Sequence, residues 1–183
     1  ADNGFFNNTW GFCYSGVNTC NRLIYQFEQL GTEEADAFIA ELRAVRALWY
    51  YWLLDAFGNV PLVTDFTDTE TAGNSTRQQV FNFVESELNE IIPLLSEAKD
   101  ASTYGRINKW GALAIRAKLY LNAEVYTGTA RWADAEADAD AITNSGLYSL
   151  ESNYAANFQT DNAGSQENIF VVPYDQVFAQ GFN

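Results

Sequence analysis

Apolar side chains in this chain recur at threes and fours in five separate segments, and strand-like alternation is almost absent before the last stretch. A period of 3.6 residues lines such side chains along one stripe of a helix, and that stripe must be buried against another element. The pattern therefore restricts the chain to an all-α architecture in which helices pack on helices. The first segment covers about residues 10–30, with Trp10, Tyr14, Val17, Asn21, Ile24 and Phe27 on its stripe and Asn8 or Thr9 as its cap. The second covers 33–57. Thr32 is its N-cap, Glu33 and Glu34 sit where the helix dipole favours negative charge, and Gly58 stops it. Its apolar run passes through Phe38, Leu42, Val45, Trp49, Trp52 and Leu53. The rings of Trp49, Tyr50, Tyr51 and Trp52 follow one another and must point in all directions, so this helix is expected to be surrounded.

Residues 58–75 read as a loop, punctuated by Gly58 and Pro61 and dominated by Asp, Thr, Gly and Asn, and they are expected to be the most exposed internal segment. The third helix covers 76–95. It opens with Ser75 and Gln78 at capping-box spacing, carries Val80, Phe83, Val84, Leu88, Ile91 and Ile92, and is ended or kinked by Pro93. The fourth, 109–126, is capped by Asn108 and turns Leu113, Ala117, Tyr120, Leu121 and Val125 inward. The fifth, 130–145, is rich in Ala and Asp and closed by Gly146. Residues 147–183 are irregular apart from one strand-like run, Asn168–Pro173. Leu119, Ala123 and Tyr126, then Trp132, Ala135, Ala139 and Ile142, fit the two helices of a tetratricopeptide-like pair, with Ala123 and Ala135 small enough for close approach. The second and third helices are expected to form an earlier pair across the long loop.

Composition removes several functions. With no His among 183 residues, there is no Ser-His-Asp or Cys-His nucleophile, no HExxH zinc site and no imidazole proton shuttle. A formal charge of −14 removes nucleic-acid binding, whose affinity comes from clustered Lys and Arg on phosphates. Neither GxGxxG nor GxxxxGK[ST] occurs, so nucleotide binding lacks a phosphate cradle. The densest apolar stretch, Val45–Phe57, is too short to span a bilayer and contains Arg46 and Asp55. Cys13 and Cys20 lie about 10.5 Å apart along one helix, too far for a disulfide, and are expected as buried free thiols. The absence of Met implies that an initiating segment precedes Ala1.

Any catalysis would rest on carboxylates. Glu85 with Glu87, or Asp134 with Asp138, could supply the acid and base of a glycosidase. Acidic residues are so frequent here that such pairs are expected simply as charges on polar helix faces. No catalytic or metal-ligating residue is assigned. Phe5, Phe6 and Phe66 lie in polar surroundings and are candidates for exposed contacts, chiefly as hydrophobic anchors. Asp161-Asn162-Ala163-Gly164 has the oxygens and turn of a calcium loop but lacks the rest of the pattern, so a plain turn is expected and calcium is the one cofactor left open.

Three stretches together resemble the SusD/RagB family of outer-membrane glycan-binding lipoproteins of the Bacteroidetes. The first is the helix and turn from Glu41 to Val63, carrying Arg43, Arg46, Gly58 and Pro61. The second runs from Gly105-Arg106 through Asn122 to Trp132, Ala135 and Gly146-Leu-Tyr-Ser-Leu150. The third is Asn157-Phe158 followed by Gln166-Glu-Asn-Ile-Phe170. Arg43 and Arg46, three apart on a helix with apolar faces, are expected as buried or half-buried guanidiniums bonded to carbonyls or acids, and Arg106 as a clamp on the helix it precedes.

The resemblance implies an α-superhelix of tetratricopeptide-like pairs, with residues 1–183 forming part of one SusD-like domain. It implies a non-enzymatic cell-surface protein that captures oligosaccharides and delivers them to a TonB-dependent, SusC-like transporter. It also implies a lipid anchor and ligand-contacting residues outside this chain. A peptide-binding or lid protein of the RagB type is the alternative.

Overall fold

The structure, a computed structural model, describes residues 3–174 and Val177. Its helices are α1 (Gly4–Glu28), α2 (Glu33–Phe57), α3 (Arg77–Ile91), α4 (Lys109–Leu121), α5 (Ala123–Thr127) and α6 (Trp132–Asn144), with a two-stranded ladder of β1 (Val60–Pro61) and β2 (Asn74–Ser75). Short 3-10 turns follow at Ile92–Leu94 and Tyr154–Phe158. The architecture is all-α, as the periodicity requires. Helix α1 packs on α2 and α2 on α3, while α4 packs on α6 and reaches the first group through α3. One core joins them around Tyr50, Leu53, Leu54, Leu88, Ile91 and Leu119. Ala40, Ala44 and Ala47 keep the buried face of α2 narrow, so its neighbours approach closely. Phe38 and Trp52, expected inward, sit at the margins of this seam and are 42% exposed.

The loop from 58 to 75 is tied down more firmly than its composition suggests. Val60 pairs with Ser75 and Pro61 with Asn74, and the Val60 side chain is fully buried. Tyr14 donates its hydroxyl hydrogen to the Pro61 carbonyl at 2.8 Å. The Tyr50 hydroxyl donates to the Val63 carbonyl at 2.9 Å and accepts from the Val63 N–H at 2.8 Å. Only the stretch 64–71 is continuously exposed. The ladder also corrects the cap of α3. Ser75 is engaged in the ladder, and the reciprocal box falls one residue later: Gln79 N–H donates to Thr76 Oγ1 at 3.2 Å, and Thr76 N–H to Gln79 Oε1 at 2.8 Å.

Two other boundaries and one strand-like run differ from expectation. Helix α1 begins at an Asn3 cap rather than at Asn8 or Thr9. Its first turns project Phe5 and Phe6 into solvent, so no apolar stripe marks them. The fourth segment breaks at Asn122 (φ −100°, ψ 8°), separating α4 from α5. Leu119, Ala123 and Tyr126 are buried as the repeat spacing requires, but Leu121 and Val125 are 60% and 68% exposed. In α6, Ala135 and Ile142 face α4 while Trp132 and Ala139 do not. The strand-like run Asn168–Pro173 forms no ladder among the described residues. Ile169 and Phe170 instead pack on the core, Phe170 over Gly111. No helix among the described residues is long and apolar enough to cross a membrane.

Candidate functional site: a groove above a buried ion-pair cluster

Arg46 points from α2 into the space between α1, α3 and the loop after β1. Its guanidinium donates to Glu87 Oε2 at 2.7 and 3.2 Å, to Asn21 Oδ1 at 2.9 Å and to the Thr64 carbonyl at 3.2 Å. Arg43, one turn earlier, donates to Glu87 Oε1 at 2.6 and 3.1 Å and to Glu90 Oε2 at 2.6 Å. Bonding from Arg43 holds the Glu90 carboxyl below its usual range. One buried and one half-buried guanidinium are thus present, and Glu87 serves both. Asn21 completes the cluster by donating to the Val63 carbonyl at 2.8 Å, which fixes the loop over the arginines.

That loop and the end of α1 enclose an open groove of about 520 Å³. Tyr25 and Phe66 flank it with ring centroids 6.1 Å apart and planes at 38°. Asp65 presents Phe66 by accepting from the N–H and hydroxyl of Thr67 at 2.7 and 2.6 Å, bonds that hold its carboxyl below the ordinary range. Of the three candidate contact rings, only Phe66 borders a groove. Phe5 and Phe6 are exposed near the start of α1, edge to face at 6.0 Å. Tyr25 carries no loop signal in the sequence and was legible only as a helix residue off the α1 stripe.

A second cleft, about 680 Å³, separates residues 99–108 from 146–171. Lys99 ties its walls together, donating to the carbonyls of Leu147 and Gln166 at 3.0 and 3.1 Å above the Tyr148 ring. Glu167 accepts from Glu151 N–H at 3.0 Å and from Asn157 Nδ2 at 2.8 Å, which lowers its carboxyl and pins the irregular segment. Asp161–Gly164 lies in a loop with a turn at Ala163 and Gly164, where Asn162 Nδ2 donates to the Asn157 carbonyl at 2.6 Å. Among the described residues, no three His, Cys, Asp or Glu side chains cluster as metal ligands would.

Three of the four paired acids are not spare charges on polar faces. Glu87 is buried under two arginines, and Asp138 is buried against Arg116 at 2.6 and 2.8 Å. Glu85 accepts from Tyr120 at 2.9 Å and pairs with Arg131 at 3.0 Å, and burial together with this bond pushes the Tyr120 hydroxyl up to about 12. Arg131 also pairs with Asp134. Glu85, Glu87 and Asp138 therefore serve as anchors between helices, while Asp134, half exposed, pairs only within the first turn of α6. Arg106 clamps a different helix from the one it precedes, gripping Glu41 of α2 through two bonds of 2.6 and 3.0 Å and lying over Phe38.

The helical scaffold thus carries two open clefts, and its buried carboxylates are spent on holding helices together. Residues 1–121 match the SusD-like family described as "Starch-binding associating with outer membrane", and the chain belongs to that family. It is 37% identical over 146 residues to the starch-binding protein SusD of Bacteroides thetaiotaomicron, covering 80% of this chain and 26% of that protein. It is 32% identical over 179 residues to a SusD-like protein of Bacteroides ovatus, covering 90% of this chain and 32% of that one. Among solved structures, a SusD-like carbohydrate-binding protein from Bacteroides fragilis superposes with a TM-score of 0.84 at 25% identity over 95% of this chain and 34% of its own. A laminarin-binding SusD-like protein gives 0.79 at 25% identity over 88% and 36%. The chain spans about a third of the length of these relatives.

Proposed function

We propose that the natural protein carrying this chain captures oligosaccharides without turning them over and delivers them to a TonB-dependent, SusC-like transporter at the outer face of the outer membrane. Residues 1–183 form part of its single SusD-like domain, and a lipid anchor outside this chain holds it to the membrane. The membership of residues 1–121 in a starch-binding, outer-membrane-associating family carries the reading. The engagement of Glu85, Glu87, Asp134 and Asp138 by arginines supports binding over hydrolysis, because a catalytic acid and base need carboxylates free to exchange protons with substrate. Affinity purification of the natural protein from its own outer membranes tests the delivery step. A co-purifying TonB-dependent transporter is expected. Recovery without any transporter would contradict delivery, and peptides in place of glycans within the complex would favour the RagB-type alternative.

A further inference from the structure

We propose that the groove between the end of α1 and residues 64–67 is a subsite for one pyranose ring of a neutral oligosaccharide, an inference that rests on the glycan-binding reading above. A pyranose is amphipathic, with a C–H face that packs on aromatic rings and a rim of hydroxyls that needs both donors and acceptors. The groove offers both. Tyr25 and Phe66 remain 40% exposed at its mouth, side by side with their rings tilted by 38°. Beside them Tyr25 Oη, the Glu28 carboxylate and the Gln29 amide hold no side-chain hydrogen bond within the described residues. Arg43 commits Nε and Nη2 to carboxylates and leaves Nη1 uncommitted. The floor is rigid, because Asn21, Arg46 and Glu87 are buried and bonded to one another, so a ligand would meet a preformed surface. At about 520 Å³ the groove falls within the usual range of small-molecule sites, about 300–1,000 Å³.

Charge selects the ligand class. Two guanidiniums line the groove against three carboxylates, Glu28, Asp65 and Glu87, and the chain as a whole carries −14. The arginines are already neutralised by acids, so no net positive charge awaits a uronate or sulfate, and the surrounding field repels one. Neutral glycans are the class that fits.

The test titrates the natural protein with three neutral probes, a malto-oligosaccharide, laminarihexaose and a xylogluco-oligosaccharide, and with an oligogalacturonate as the anionic arm. It repeats the titrations on Tyr25→Ala/Phe66→Ala and on Phe66→Leu, which keeps apolar bulk without a ring. Hydrogen exchange of residues 63–67 is followed with and without the tightest neutral probe. The expected result is slowed exchange at 63–67 in the wild type, affinity at least fivefold weaker in both variants with thermal midpoints retained, and no oligogalacturonate binding. Neutral glycan binding that persists undiminished in both variants, with unchanged exchange at 63–67, overturns the subsite and leaves the glycan-binding reading standing. Tighter binding of oligogalacturonate than of any neutral probe, lost in the variants, overturns the neutral class. Failure of the wild type to bind any of the four glycans overturns the glycan-binding reading, and the subsite with it.

Discussion

Arg46 and Glu87 show how much a single charged pair carries here. Their side chains are only 7% and 8% exposed, so removing either partner leaves the other charged in a site that water barely reaches. Glu87→Gln is therefore expected to lower stability by about 3–5 kcal/mol, read as a fall in the urea midpoint at unchanged slope. Glu90→Gln, at a carboxylate 59% exposed, is expected to move that midpoint far less. Equal losses from the two would contradict a buried anchor. The two cysteines give a second test at this scale. Both are buried free thiols, and burial pushes Cys20 up to about 11 against the opposing charge of Arg46. Neither is expected to react with a maleimide at pH 7 in the folded protein, and both should react in denaturant. The arginines themselves were legible, since two cations on an apolar helix need acids. Their partners were not, because Arg46 meets Glu87 forty-one residues away and nothing local marks that meeting.

At the scale of elements, boundaries were legible where a cap sits beside an apolar stripe and obscure where either is missing. Thr32, Asn108 and Gly58 do what their residue types require, Gly58 closing α2 at φ 77°. The box at α3 was displaced by one residue because Thr76 and Gln79 repeat the spacing of Ser75 and Gln78, and only the ladder at Ser75 decides between them. Thr76→Ala is expected to cost about 1 kcal/mol, whereas Ser75→Ala should cost little, a comparison made by thermal or urea unfolding. Packing of α1 on α2 turns on Gly16, where an added Cβ would lie 2.3 Å from Trp49 Cε2. Gly16→Ala should therefore destabilise by about 1–3 kcal/mol and alter tryptophan emission as the indole is displaced, while Gly11→Ala, with open space around it, should do neither. The break at Asn122 left no trace in the periodicity, since Leu121 and Val125 are apolar yet face outward.

Across the whole molecule, the all-α class followed from periodicity alone, and the family from three motifs whose residues prove to be structural. The candidate groove was only half legible. Phe66 stood out as a ring in a polar loop, but Tyr25 and the floor of Arg43, Arg46 and Glu87 come together only through the packing of three helices. Acid should weaken this assembly in a defined window. Asp65, Glu90, Asp100 and Glu167 have carboxyls lowered by hydrogen bonds, from Thr67, Arg43, Ser102 and Asn157 respectively. Their contribution is complete above the ordinary carboxylate range near 4 and is lost as pH falls through their lower folded values. The thermal midpoint is thus expected to hold between pH 7 and 5 and to drop below about pH 4. A drop already complete at pH 5 would contradict these bonds.

The central claim is that the protein binds glycans and leaves them intact. Calorimetric titration of the natural protein with a panel of neutral oligosaccharides, followed by chromatography of the recovered sugar, tests it most directly. Saturable binding of at least one member, recovered at its original length, is the predicted result. Absence of binding across the panel, or recovery of shortened chains, would contradict it.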